Sequence, residues 1–179
     1  MQKLMLVSIL WFVIPCTIWA QIESGPAAGT KLEAFKASVV TGDQAGNDIE
    51  LGQGQKDKQV IYIWVNQERW ERPIARFIRQ LDEEIDKSAK DIQIYMIWLT
   101  DQVDEVKDYL PKVQQALKLK KTNLTIFCGD KQGPLAWLIN ADAHLTVVIA
   151  KGDKATKSLA FRSTNETDVK KVLEQLKKN

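Results

Sequence analysis

Cysteine is nearly absent from this 179-residue chain, which contains only Cys16 and Cys128. Cys16 lies in an N-terminal segment that we expect to be removed, so the remaining chain would hold one thiol and no internal disulfide. Exported domains that rely on disulfides carry more cysteines than this. We therefore expect a domain that is stabilised by its hydrophobic core, and the chain is long enough to form one.

Histidine is also scarce, and the positive and negative charges are nearly balanced. His144 is the single histidine, and 25 Lys and Arg residues stand against 23 Asp and Glu residues without a block of like charge. A zinc site would lack further ligands at suitable spacing, so we expect no bound metal and no other cofactor. The near-neutral balance gives no indication of nucleic-acid binding.

The first twenty residues match a secretory signal peptide. Lys3 precedes an apolar run over residues 4–14, Pro15 interrupts that run, and Ala20 stands before the polar Gln21. This pattern predicts cleavage after Ala20 and export to the periplasm or the extracellular space, with no stable membrane insertion afterwards. The alternative is a retained anchor, because residues 4–20 are at the short limit for a bilayer span. Residues 21–30 are small and polar, which is typical of a linker.

Hydrophobic periodicity predicts strands that alternate with helices from residue 31 onwards. Helical stripes fall within residues 74–85, 103–117 and 169–176. Strands are predicted over residues 32–40, 48–51, 60–65, 92–99, 124–128, 144–150 and 155–161. Such alternation indicates an α/β domain with a central parallel sheet, and the last two strands form a hairpin that adds an antiparallel edge.

An unusual corner follows the strand at residues 60–65. The stretch at residues 66–77, NQERWERPIARF, places Trp70 and Pro73 immediately before the first long helix. Together with the order of the elements, this corner resembles the thioredoxin-like superfamily, and more narrowly its exported thioredoxin and peroxiredoxin-like branch. The resemblance covers about residues 30–178. It implies one domain over residues 31–179, with a central mixed sheet flanked by helices and an inserted helix–strand unit.

The family's Trp-Cys-Gly-Pro-Cys motif resembles the stretch Trp-Glu-Arg-Pro-Ile at residues 70–74. The resemblance puts Glu71 at the position of the nucleophilic cysteine and Ile74 at that of the resolving cysteine. Leu145 stands where the family has a cis-proline before the hairpin. Thiol–disulfide exchange needs a thiolate to attack and a second thiol to resolve, and neither side chain provides one. We therefore expect the fold without its usual redox activity.

The resemblance also implies a binding surface at the former active site. It brings the corner against the loop before the hairpin, and the family uses this groove for extended polypeptide, so the partner is expected to be a peptide or protein. An exposed Trp beside an Arg is a pair that concentrates binding energy, unless Trp70 folds back onto the core. The candidate binding residues are Trp70, Glu71, Arg72, Pro73, His144 and Leu145.

Three functions stay open on the sequence alone. The favoured one is a binding module that uses the former active-site groove, and the next is a purely structural or assembly protein. The third is an oxidoreductase-like enzyme that uses either Cys128 or an acid/base pair of Glu71 and His144. Cys128 ends a predicted strand, where a free cysteine is most often a small core residue. The sequence identifies neither the partner nor the oligomeric state.

Overall fold

The computed structural model describes residues 22–53, 58–88 and 91–177. The expected signal peptide at residues 1–20 and the first residue of the expected linker lie outside the described residues. Within the described ranges the chain forms a seven-stranded sheet with helices packed against it.

The elements follow the predicted order, with small shifts at their ends. The strands are β1 (Phe35–Val39), β2 (Asp48–Leu51), β3 (Gln59–Asn66), β4 (Gln93–Leu99), β5 (Thr122–Phe127), β6 (Leu145–Lys151) and β7 (Lys154–Phe161). The helices are α1 (Arg72–Ser88), α2 (Val103–Leu117) and α3 (Asp168–Leu176), and short 3-10 helices occupy Gln67–Arg69 and Leu135–Trp137. The first strand is shorter than the predicted 32–40, and Leu32 is buried outside it.

The sheet is mixed, with the order β2-β1-β5-β4-β3-β6-β7. Its centre is parallel, because β4 pairs in parallel with both β3 and β5. The pairs β3–β6, β6–β7, β1–β5 and β1–β2 are antiparallel. The predicted hairpin is therefore confirmed, and α2 with β5 forms the expected inserted unit between β4 and β6.

Two hydrophobic clusters cover the two faces of the sheet. The first contains residues from all three described α-helices, including the complete predicted stripe of α1, whose members are Ile74, Phe77, Ile78, Leu81 and Ile85. Its strand residues, such as Ile63 and Val65, alternate along β3 with Tyr62 and Trp64 of the second cluster. The described members of the second cluster include no α-helical residue. Loops therefore cover the second face.

The described part of the expected linker helps to cover this second face. Ser24 Oγ and Thr146 Oγ1 are 2.6 Å apart, and the Gly25 N–H donates to the Leu138 carbonyl at 3.1 Å. The Gly29 N–H donates to the Ala155 carbonyl at 2.8 Å. Residues 22–30 are therefore part of the folded domain.

Trp137 fills the centre of the second cluster. Its ring lies 5.0 Å from Phe35, 5.1 Å from Tyr62 and 5.2 Å from Trp64, and its Nε1–H donates to the Glu33 carbonyl at 2.9 Å. Gly52 allows this close packing at a φ of +91°, because a Cβ there would lie 2.4 Å from the same carbonyl oxygen.

The short helix Leu135–Trp137 offers a matched test of this packing. Trp137 is fully buried, whereas Leu135 is 90% exposed. We expect Trp137→Ala to lower the free energy of unfolding by about 3–5 kcal/mol through lost burial and a cavity. Leu135→Ala is expected to change it by no more than about 0.5 kcal/mol. Urea denaturation of both variants measures the difference, and similar small effects would contradict the proposed packing.

Candidate functional site

The pairing of β3 with β6 brings the corner and the facing loop together. These strands are antiparallel, with Val65 opposite Leu145, so the residues that follow β3 lie at the same sheet edge as those that precede β6. We call the surface formed by Trp70, Glu71, Arg72, Pro73 and His144 the corner edge. Its two segments are distant in sequence and adjacent in the fold.

Polar side chains fix the path of the chain between β3 and α1. The Asn66 side chain accepts a hydrogen bond from the Glu68 N–H at 2.9 Å and so caps the first 3-10 turn. The Gln67 amide donates to Gln102 at 2.9 Å and accepts from the Thr100 hydroxyl. These bonds attach the turn to the segment that follows β4, which positions Trp70 before the helix.

Glu71 and His144 meet at the centre of the corner edge. The Glu71 Oε1 atom lies 3.5 Å from His144 Nδ1, and the side chains are 45% and 27% exposed. The His144 backbone N–H donates to the Phe161 carbonyl at 2.8 Å, which fixes the residue beside β7. The Nδ1 atom has no hydrogen-bond partner, so the two side chains approach each other without forming a hydrogen bond.

Trp70 lies partly on the core and partly at the surface. Its ring is 5.0 Å from Trp98, and its Nε1–H donates to the Tyr109 hydroxyl at 3.1 Å. The residue lines two cavities, one of about 420 Å³ beside Trp98 and one of about 630 Å³ beside Glu71 and Arg72. The side chain is therefore anchored but still borders open space.

The structure separates the other candidate residues into exposed and buried ones. Arg72 and Pro73 are exposed at the start of α1. Leu145 is completely buried in the first cluster, so its place among the surface-binding residues was wrong. The side chain points into the core because β6 begins at this residue and pairs with β3 there. Ile74 is also completely buried, and it packs with the α1 stripe.

Comparison with known proteins identifies the architecture. No family model and no curated protein matches the sequence. Solved structures do match. Peroxidoxin BcpB from Mycobacterium tuberculosis aligns with a TM-score of 0.61 and 13% identity over 84% of this chain and 96% of its own. A DsbF homologue from Corynebacterium diphtheriae gives 0.59 and 15% over 93% and 99%. A peroxiredoxin-like protein from Aquifex aeolicus gives 0.59 and 10% over 86% and 90%. This chain has the thioredoxin-like fold.

Cys128 lies away from the corner edge of this thioredoxin-like domain. It follows β5, and β4 separates β5 from β3. The residue is exposed, so the expectation of a small core residue was wrong, because the strand ends at Phe127. Partial burial of the thiol, with the nearby Asp48 carboxylate, raises the pKa of Cys128. A raised pKa leaves less thiolate at neutral pH, which weakens this cysteine as a nucleophile.

Buried polar atoms without a partner concentrate near the same sheet edge. Among the described residues, the buried side-chain atoms that lack a hydrogen-bond partner are Trp64 Nε1, Trp98 Nε1, His144 Nδ1 and Thr164 Oγ1. The first three lie within the last three residues of β3 or β4, or directly before β6. Buried tryptophans usually find a partner for the indole N–H, so this clustering sets the edge apart. Sequence reasoning missed Trp64 and Trp98, although tryptophan near the end of a buried strand is a usable signal.

The described residues also bear on metal binding and on membrane insertion. The part of the chain that the structure describes contains no group of three His, Cys, Asp or Glu side chains that could hold a metal ion. Within the same ranges, no helix is both long enough and apolar enough to cross a bilayer.

Proposed function

We propose that this chain is an exported, redox-inactive thioredoxin-like domain that binds extended polypeptide at the corner edge. The observation that carries this proposal is the 3.5 Å approach of Glu71 to His144, which joins two distant segments into one surface beside Trp70. Such a joined surface supports a binding module.

The absence of suitable thiols supports redox inactivity. No cysteine occurs between residues 17 and 127, and α1 begins beside Glu71 and the buried Ile74. Cys128 is two strands away from β3 and has a raised pKa. Neither of these positions offers the attacking thiolate and resolving thiol that disulfide exchange requires.

The chemistry of the corner edge suits a polypeptide backbone. An extended peptide presents N–H donors and C=O acceptors, and the edge offers the Glu71 carboxylate as an acceptor and the Arg72 guanidinium as a donor. The adjacent cavity of about 630 Å³ has both apolar and basic walls, which include Val113, Leu117 and Lys112. A peptide side chain could enter this cavity while the backbone lies along the edge.

Open space beside Trp70 favours binding over a purely structural role. The indole donates to the Tyr109 hydroxyl, yet the residue lines two cavities. A side chain that is anchored but still accessible loses little conformational freedom when a partner packs on it, which lowers the entropic cost of binding.

Export is proposed from the N-terminal sequence. The apolar run at residues 4–14 precedes the cleavage site expected after Ala20. Among the described residues, hydrogen bonds to the rest of the domain occur from Glu23 onwards, where the carbonyl accepts from the Asn140 side chain at 3.1 Å. Cleavage at that site would therefore leave the described domain whole.

The redox part of the proposal predicts no catalysed disulfide reduction. In the insulin turbidity assay with dithiothreitol, we expect the wild type and Cys128→Ser to precipitate insulin at the background rate. Faster precipitation by the wild type that Cys128→Ser abolishes would show that Cys128 is a working nucleophile and would contradict the proposal.

The binding part predicts a localised footprint for a peptide that cannot exchange thiols. Carboxymethylated insulin B chain is a suitable probe. Its addition is expected to shift amide resonances at residues 69–74 and 143–146 in ¹H–¹⁵N NMR spectra. Trp70→Ala should weaken binding by about 2 kcal/mol or more, roughly thirtyfold, because a central Trp contributes strongly to an interface.

Leu138→Ala provides a matched control. Leu138 is 67% exposed and lies in the loop before His144, so its truncation removes exposed apolar surface outside the corner edge. We expect this variant to bind the probe like the wild type. Equal weakening in both variants, or shifts clustered at other residues while Trp70→Ala stays folded, would contradict binding at the corner edge.

A further inference from the structure

The hydrogen-bonded side chains of Trp70 and Tyr109 border two cavities. The larger one, of about 630 Å³, is lined by residues of both α1 and α2, and we call it the α1–α2 cavity. The smaller one, of about 420 Å³, lies beside Trp98. Both are lined by Trp70, Tyr109 and Lys112. Tyr109 is 41% exposed, so the two rings offer a surface on which an apolar side chain of a bound peptide can pack.

The linings of the two cavities carry opposite net charge. The charged residues of the α1–α2 cavity are Glu71, Arg72 and Lys112, which are two cations against one carboxylate. Those of the smaller cavity are Glu105, Asp108 and Lys112, which are two carboxylates against one cation. The α1–α2 cavity therefore favours an anionic group, whereas the smaller cavity disfavours one.

The cations of the α1–α2 cavity are not neutralised by the chain itself. Neither Arg72 nor Lys112 forms an ion pair or a side-chain hydrogen bond with any of the described residues. By contrast, Arg76 and Arg79, farther along α1, each lie 4.0 Å from a carboxylate of this chain. Arg72 and Lys112 can therefore pair with an anionic ligand without first breaking an ion pair within the chain.

The other walls of the α1–α2 cavity suit the aliphatic part of an acidic side chain. Ala75, Val113 and Leu117 provide apolar contact. A glutamate side chain has two methylene groups before its carboxylate, so it combines an apolar stem with an anionic end. The carboxylate can form charge-assisted hydrogen bonds with Arg72 and Lys112.

We propose that the α1–α2 cavity selects acidic peptides. An apolar residue of the peptide packs on Trp70 and Tyr109, and a neighbouring glutamate or aspartate pairs with Arg72 and Lys112. This inference rests on the proposed peptide binding at the corner edge and adds the chemical class of the peptide.

Three blocked pentapeptides test the charge preference: acetyl-TELET-amide, acetyl-TQLQT-amide and acetyl-TKLKT-amide. The varied residue flanks the leucine on both sides, so each probe serves either chain direction. We expect acetyl-TELET-amide to shift amide resonances at residues 69–74 and 109–117 in ¹H–¹⁵N spectra. It should bind about fivefold more tightly than acetyl-TQLQT-amide, with acetyl-TKLKT-amide weakest. The preference should shrink as sodium chloride is added, because salt screens exposed charges.

A fourth probe separates a side-chain carboxylate from a terminal one. Acetyl-TQLQT with a free C-terminal carboxylate has no acidic side chain. We expect it to bind like its amide, because the inference assigns the anion to a residue beside the apolar one.

Variants on α2 make the assignment specific. Lys112→Gln should weaken acetyl-TELET-amide binding about threefold and acetyl-TQLQT-amide binding by less. Lys112→Glu should abolish the preference for acetyl-TELET-amide over acetyl-TKLKT-amide. Lys107→Gln is the matched control, because it removes the same charge from an exposed residue of α2 that lines neither cavity. It is expected to leave both affinities unchanged.

Four results would overturn the acidic preference. These are absent binding of acetyl-TELET-amide, equal binding of the Glu and Gln peptides, binding of the free-acid Gln peptide as tight as that of acetyl-TELET-amide, and equal losses in Lys107→Gln and Lys112→Gln. Peptide binding itself would still stand if carboxymethylated insulin B chain shifts residues 69–74. If neither the B chain nor any pentapeptide shifts these residues, both proposals fail.

Discussion

Strand β3 is the element on which the arrangement of the whole site depends. It pairs in parallel with β4 on one side and antiparallel with β6 on the other. The carboxyl end of β3 therefore meets both the carboxyl end of β4 and the amino end of β6. Because of this, the corner before α1, the turn after β4 and the loop that carries His144 share one edge of the sheet. If β6 were parallel to β3, the loop before β6 would instead lie at the opposite edge of the sheet.

Successive side chains of β3 point to opposite faces of the sheet, so this edge has two different environments. Val65 points into the cluster that the α-helices cover, and Trp64 points into the cluster covered by loops and residues 22–32. Alternation along a strand thus produces one cavity system beside Trp70 and Trp98 and another beside Trp64. The helical side is bordered by exposed charged residues of α1 and α2, and the loop side by Glu68 and Lys131 together with apolar residues such as Ile139 and Ala143.

Much of the fold was predictable because its signals are local. The apolar runs of β3 and β4 and the complete stripe of α1 are local patterns, and the structure confirms each of them. The meeting of Glu71 with His144 required more, since only the resemblance of the Trp70–Pro73 corner placed these segments together. Side-chain direction at strand ends was not predictable, because it depends on register. Leu145 is buried for this reason, whereas Cys128 is exposed because β5 ends one residue before it.

The packing of residues 22–30 also escaped prediction. Small polar residues such as Ser24 and Gly25 carry no periodic signal, and their contacts are single hydrogen bonds to distant strands and loops. The missing hydrogen-bond partners of the Trp64 and Trp98 indoles could not be predicted from the sequence either. The residue type suggests a need for a partner, but only the assembled structure shows whether the chain supplies one.

The central claim is that the corner and the loop before β6 form one surface. Because His144 is the single histidine, its imidazole protons give signals that can be assigned without ambiguity. A ¹³C-edited NOESY spectrum of the folded protein tests the claim directly. The structure predicts cross-peaks from the His144 ring to the Glu71 side chain. Absence of these cross-peaks, with the β3–β6 cross-peaks between Val65 and Leu145 present, would show that the two segments do not meet and would contradict the account.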